Sequence, residues 1–301
     1  TRYNGKDFEF VREGGLVNVV GMMTDSSGRL WIGTNDAGIA RYENGEYTYF
    51  TSDDGLPSDS VRCFAEDEKG NVYVGTSDKI CRFNTDDTIQ ILDVNITFAK
   101  AMEVYQDMLI IVDNKGGIHA VNCSTQAEID NSKTKDKFYY CLASTSKGLI
   151  AGTETGELFI ADISEHTVSV KEQIDIPGNQ ISAVFEDSRK RLWVALNSDF
   201  GYIDSNGTYH KMHYDGFDSS IVSFHEDYQG NIWVASSHYG VMKLSESTFV
   251  NLFEKAGIEK AYVNAVEYFD GDYYCAMDDG IKILDGDNLT LKSNIASETV
   301  K

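Results

Sequence analysis

The stretch Val19-Val-Gly-Met-Met-Thr-Asp25-Ser-Ser-Gly28-Arg-Leu-Trp31-Ile-Gly33-Thr34 returns, with changes, as Val61-Arg-Cys-Phe-Ala-Glu-Asp67-Glu-Lys-Gly70-Asn-Val-Tyr73-Val-Gly75-Thr76. Two further copies begin at Ile181, with Asp187 and Trp193, and at Ile221, with Asp227, Gly230 and Trp233. All four start on an apolar residue and place Asp six positions on and an aromatic ring twelve positions on. Weaker copies centred on Ile110, Ile150 and Tyr274 fill the gaps, with Ser146 standing where Asp would be. The anchors recur every 37 to 43 residues, the period of one four-stranded propeller blade. The expected fold is therefore all-β: a seven-bladed β-propeller of four-stranded antiparallel blades, in one domain over residues 1–301.

Each repeat reads as four short strands. The first is apolar and slim enough for a crowded centre. In the Asp-x-x-Gly turn that follows, the Asp side chain accepts from backbone amides and Gly takes the left-handed conformation. Lys190 replaces that Gly in the fifth copy, so its hairpin is expected to bend differently. The aromatic ring of the second strand suits a sugar-stacking surface, but its fixed place in every repeat favours a filler between neighbouring sheets. Third strands open at Gly38, Gly201, Gly240 and Gly280, and a polar outer strand follows. Residues 6–11 resemble the outer strand of a repeat whose beginning is missing. They are expected to pair with the blade of Asn264–Leu284 and cover its edge, in competition with Leu289–Ser293.

Composition narrows the function. With 26 basic and 48 acidic residues the net charge is −22, which repels nucleic acid and disfavours direct contact with an anionic membrane. Hydrophobic residues at 42% and charged residues at 25% exclude intrinsic disorder. No apolar run reaches the length of a transmembrane helix, and no signal peptide opens the chain. The start at Thr1 without Met reads as an excised fragment.

Asp25-Ser-Ser-Gly-Arg-Leu-Trp-Ile-Gly-Thr34, Gly38-Ile-Ala-Arg-Tyr42 and Asp54-Gly-Leu-Pro-Ser-Asp-Ser-Val61 resemble the two-component regulator propeller repeat. The resemblance covers nearly the whole chain and is sharpest in repeats one, two, five and six. It implies an extracytoplasmic, periplasmic or cell-surface sensor propeller of a membrane-anchored hybrid histidine kinase or diguanylate cyclase. The implied function is a non-catalytic ligand-sensing or interaction module. Its partners would be a small molecule or glycan such as an oligosaccharide, or a second copy of the receptor.

The rival reading is a propeller hydrolase or lyase with a metal at the channel mouth, for which Asp36, Asp78, Glu154, Asp199, His238 and Asp278 are candidates. They lack an evident acid–base arrangement. Of six histidines, His210 and His213 point to opposite faces of a strand and read as surface, and His225 reads as structural. Acidic turns at Asp53-Asp54, Asp86-Asp87 and Asp278-Asp279 miss the calcium-loop spacing. No P-loop, nucleophile elbow or HExxH occurs, so no cofactor, metal or catalytic residue is assigned. The second-to-third-strand loops vary between blades while the Asp turns on the opposite face do not, and variation leaves room for an asymmetric site. The candidate ligand residues there are Asn35, Asp36, Asn197, Phe200, His238 and Tyr239, with Asn and Asp bonding hydroxyls and Phe200 or Tyr239 stacking on a ring.

Cys63, Cys81, Cys123, Cys141 and Cys275 are scattered, odd in number and without CxxC spacing. Thiol titration of the unfolded, unreduced protein is expected to count five free groups, and a lower count would mean a disulfide.

Overall fold

The computed structural model describes residues 2–296 except 4–6, 12–15, 132–133, 135–136, 165–166, 179, 198, 215–216, 218–220, 246–254, 260 and 287. The chain divides into two compact units, Thr1–Leu244 and Ser245–Lys301. Helix is scarce among the described residues: a 3-10 turn at Ser52–Asp54 and the helical residues 255–256.

The first unit opens with a hairpin of β1 (Arg2–Tyr3) and β2 (Phe8–Glu9). Six blades follow. Blade one holds β3 (Val19–Thr24), β4 (Leu30–Thr34), β5 (Ile39–Glu43) and β6 (Glu46–Phe50). Blade two holds β7 (Val61–Glu66), β8 (Val72–Thr76), β9 (Ile80–Phe83) and β10 (Ile89–Ile91). Blade three holds β11 (Ala99–Tyr105), β12 (Met108–Asp113) and β13 (Ile118–Asn122). Blade four holds β14 (Tyr139–Thr145), β15 (Gly148–Thr153), β16 (Glu157–Ile163) and β17 (Val168–Asp175). Blade five holds β18 (Ile181–Glu186), β19 (Leu192–Leu196), β20 (Phe200–Ile203) and β21 (Tyr209–Met212). Blade six holds β22 (Ile221–Glu226), β23 (Ile232–Ser236) and β24 (Gly240–Leu244). The second unit is one antiparallel sheet of β25 (Val263–Phe269), β26 (Asp272–Met277), β27 (Gly280–Asp285) and β28 (Leu291–Ala296).

In the first unit the inner strands β3, β7, β11, β14, β18 and β22 lie side by side in chain order. A single sheet of this size cannot bury its faces alone, so the core is a series of apolar layers between blades. Trp31, Ile39, Val61, Val74 and Phe83 fill the layer between blades one and two. Trp193, Phe200, Ile221, Phe224 and Val234 fill that between five and six. The repeated ring is the filler: Trp31 packs on Phe64 and Trp193 on Phe224, with centroids 6.5 and 5.9 Å apart. Gly75 and Gly152 at the ends of second strands allow the close approach. A Cβ there would stand 2.7 Å from Ala99 Cβ and from Ile181 Cγ2 respectively.

Two expectations change. Lys190 takes φ 65°, and its amide closes on Asp187 O at 2.9 Å, so the fifth hairpin keeps the common turn with a strained residue in it. Within the second unit β28 pairs beside β27, and within the first Phe8–Glu9 pairs with Arg2–Tyr3. A turn joins β27 to β28 locally, at a small cost in closure entropy. Lys6, of the segment expected to close the last blade, lies outside the described residues. The other change concerns Trp233, which is only half-buried. Where Trp31 and Trp193 meet the next blade, Trp233 meets Tyr3, 5.3 Å away.

Trp193→Ala is expected to cost roughly 3–5 kcal/mol, as large-to-small core changes do. Trp233→Ala should cost less. Urea unfolding of both variants checks this, and equal losses would contradict the difference in burial.

Candidate functional site

Two ends of each sheet can carry function, and they are built differently. At the first, the turn Asp of blades one, two, five and six uses both carboxylate oxygens. Asp25 Oδ1 accepts from the amides of Ser27 and Arg29 at 3.0 and 2.9 Å, while Oδ2 accepts from Trp31 Nε1 at 2.7 Å and Arg29 Nε at 2.6 Å. Asp187 repeats this with Trp193 at 2.9 Å and Arg191 at 2.6 Å. Asp227 does so with Trp233 and Asn231, and Asp67 with Tyr73. The motif recurs in other turns with histidine at the sixth position: Asp113 with His119 at 3.2 Å, and Asp204 with His210 at 2.8 Å. His210, expected at the surface, is thus a turn partner stacked on Tyr202. His225 is exposed instead of structural, and His166 lies outside the described residues.

The same end ties blades together. Ser26 donates through its amide and hydroxyl to Glu66 at 2.8 and 2.5 Å. Ser146 donates in this way to Glu186, and Ser188 to Glu226. These carboxylates have structural occupations, as do the acidic pairs: Asp54 caps the 3-10 turn, Asp87 holds Arg41 and Asp279 holds Lys282.

At the opposite end lie the variable loops. Asn35 and Asp36 are exposed; Asn35 Oδ1 accepts from Ser60 and Asp36 from Asn18 at 3.1 Å. Asn197 donates to Gln180 at 3.5 Å. His238 Nδ1 lies 2.8 Å from Ser237 Oγ, and Tyr239 is 49% exposed. Phe200 is different. It is fully buried between Phe224 and Tyr214, because the first residue of β20 faces the next blade, and it cannot stack on a ligand. The five exposed residues meet Ser60, Asn18, Gln180, Ser237 and Phe217 in their own or neighbouring loops, and not one another. Among the described residues no three His, Cys, Asp or Glu side chains converge to hold a metal.

Two clefts of the first unit, of 740 and 560 Å³, contain none of these residues. The first is lined by Asp107, Met108, Asn122 and Ile163, the second by Tyr3, His225, Asp227, Trp233 and Lys243. Both adjoin the turn end of the sheets. Sequence reading missed a further group, Arg62, Lys100 and Tyr140, near the starts of inner strands. Its signal was two cations at one repeat position in an acidic chain.

A model of the family described as two component regulator propeller matches residues 14–36, 55–78, 175–198 and 215–238. No curated protein matches the sequence. The structure is similar to the extracellular domain of hybrid two component system BT3049 from B. thetaiotaomicron, with TM-score 0.62, 21% identity and coverage of 92% of this chain and 40% of that one. It is also similar to the extracellular domain of one component system BT4673 from the same organism, with TM-score 0.54, 16% identity and 94% and 46% covered. The chain therefore spans less than half of those two. Virginiamycin B lyase from Staphylococcus aureus matches with TM-score 0.63, 13% identity and 92% and 97% covered. At these identities the likeness is one of fold.

Burial pushes the Asp25 and Asp187 carboxyls up, but donation from the Trp ring, the turn amide and the Arg guanidinium outweighs it and leaves both below the ordinary 3.8. Asp87 is lowered by Arg41, and Glu157 is held at about 2 by Lys137 and Thr155. Groups lowered in the folded state stabilise it above their unfolded values and cease to as pH falls through the folded ones. The melting temperature should therefore drop below about pH 4. Asp187→Asn should melt lower at pH 7 and lose less between pH 5 and 2; an unchanged pH slope would contradict this role.

Proposed function

We propose, on the four stretches that match the two component regulator propeller family, that the chain is a non-catalytic ligand-sensing module of a membrane-anchored bacterial signalling receptor, working outside the cytoplasm. The observation that carries this reading is the asymmetry between the two ends of the blades. The turn end is committed to holding the fold, while the loop end varies from blade to blade and offers exposed Asn35, Asp36, Asn197, His238 and Tyr239. Variation on a rigid scaffold is how a repeat fold makes a specific site. The polar side chains suit hydroxyl groups and Tyr239 suits a ring face, so an oligosaccharide or similar small molecule is the proposed ligand. A second receptor copy is the proposed protein partner. Among the described residues no helix is long and apolar enough to cross a membrane, and the anchor is assigned to the receptor outside these elements.

The competing reading is a propeller lyase or hydrolase. Its support is the fold shared with virginiamycin B lyase, and folds of this kind host many functions.

A thermal-shift screen against glycans and metabolites tests the proposal, since a ligand that binds only the native state raises the melting temperature. A hit should leave the ligand chemically unchanged after prolonged incubation, and turnover would favour the enzyme reading. His238→Ala with Tyr239→Ala should abolish the shift without lowering the melting temperature of the free protein. Undiminished binding would place the site elsewhere.

A further inference from the structure

All seven blade sheets, six in the first unit and one in the second, break register at the same place. The break falls between Val19 and Gly21, Val61 and Cys63, Ala99 and Ala101, Tyr139 and Cys141, Ile181 and Ala183, Ile221 and Ser223, and Val263 and Ala265. A bulge releases one residue from the ladder and re-aims its side chain. The start of each inner strand pairs with the end of the second, as Val61 does with Thr76, so the bulges lie at the loop end of the sheets. Two of the released residues are cationic, Arg62 and Lys100, and they stand on the adjacent strands β7 and β11.

Aromatic faces of the following blade hold both cations. The Arg62 guanidinium lies 4.6 Å from the Phe98 centroid, and Phe98 immediately precedes β11. Lys100 Nζ lies 3.3 Å from the Tyr140 centroid and 5.5 Å from Phe138, which immediately precedes β14. Several other cations of this acidic chain sit on carboxylates, such as Arg29 on Asp25, Lys137 on Glu157, Arg191 on Asp187, Lys211 on Asp199 and Lys292 on Asp272, whereas Arg82 bonds Gln90 and the Cys123 carbonyl. Among the described residues Arg62 and Lys100 have no such partner, and Arg62 Nε is buried without a hydrogen bond. Glu103, on the same strand as Lys100, bonds instead with Ser144. Burial holds the Lys100 ammonium below its ordinary value, as expected for a cation lacking a counter-charge. Cation–π contact steadies a positive group while leaving its N–H donors available, so what the pair lacks is an anion.

We propose that Arg62, resting on Phe98, and Lys100, resting on Tyr140, released at the same position of adjacent strands by the bulges of β7 and β11, bind the anionic group of a small organic ligand, a carboxylate or a sulfate. The proposal rests on the sensing reading for its biological role and assigns the charge class of the ligand.

Thermal shift and isothermal titration with sodium glucuronate, sodium sulfate and neutral glucose, at ionic strength fixed with chloride, test it. Glucuronate or sulfate should raise the melting temperature and bind, the stronger of the two identifying the acid, while glucose should do neither. Arg62→Gln with Lys100→Met should weaken anion binding by about tenfold or more. Arg62→Lys, which keeps the charge and secures the result if the double variant folds poorly, should bind between the two. Lys171→Gln, in outer strand β17, should bind as wild type. No response to either anion, an equal response to glucose, or full binding by the double variant would overturn the site. A neutral glycan that binds through Tyr239 while both anions fail would overturn this inference and leave the sensing reading standing.

Discussion

A carboxylate in the first hairpin turn of blades one, two, five and six holds their local architecture together. In Asp25 and Asp187 one oxygen closes the hairpin turn and the other takes the indole N–H of the ring six residues on. Indole is donor only, so burying it without an acceptor would cost roughly 1–3 kcal/mol. The Asp thereby fixes the turn, the position of the second strand and the orientation of the ring that fills the space to the next sheet. The shared burial explains why Asp and aromatic ring recur together, and why Tyr73 keeps the arrangement through its hydroxyl. Histidines at the sixth position of other turns show the same solution with a smaller donor.

From this unit the stacking of blades follows. The rings need a close neighbour, and glycines at the ends of second strands let the next inner strand approach. Ser–Glu pairs then tie each turn to the adjacent inner strand in three of the five junctions of the first unit. Cys63 and Ser182 add bonds to the carbonyls of Ala99 and Ile181's successor Ile221 in the next blade. The turn end of the sheets is consequently crowded with obligations. The loop end has bonds of its own, as where Thr34 donates to Gly38 O and Thr76 to Lys79 O, but its exposed side chains differ from blade to blade.

That division shapes any function this scaffold has. A sensing role draws on exposed loop residues and, at the inner rim, on bulge residues whose side chains the ladder does not use. Arg62 and Lys100 belong to the second group. In a chain with 48 acidic residues, cations resting on aromatic faces instead of carboxylates stand apart from the surrounding ion pairs.

Much of this was legible in the sequence because it is local. Asp-x-x-Gly with a ring twelve positions from the strand start is set by turn chemistry and by the two-residue period of strands, so the blades, their turns and the filler role of Trp31 and Trp193 could be read off. The candidate loop residues were legible only as exposed polar positions, and Phe200 was misread because its burial depends on Phe224 and Tyr214, far along the chain. Tertiary structure alone decided the packing of Tyr3 over Trp233 and the recurrent bulge. Neither has a local sequence signature. The bulge adds a residue without changing the apolar pattern, and the Tyr3 contact turns on which distant segment reaches a face first. A sequence specifies what each strand wants to bury, whereas only the assembled sheets decide what arrives to bury it.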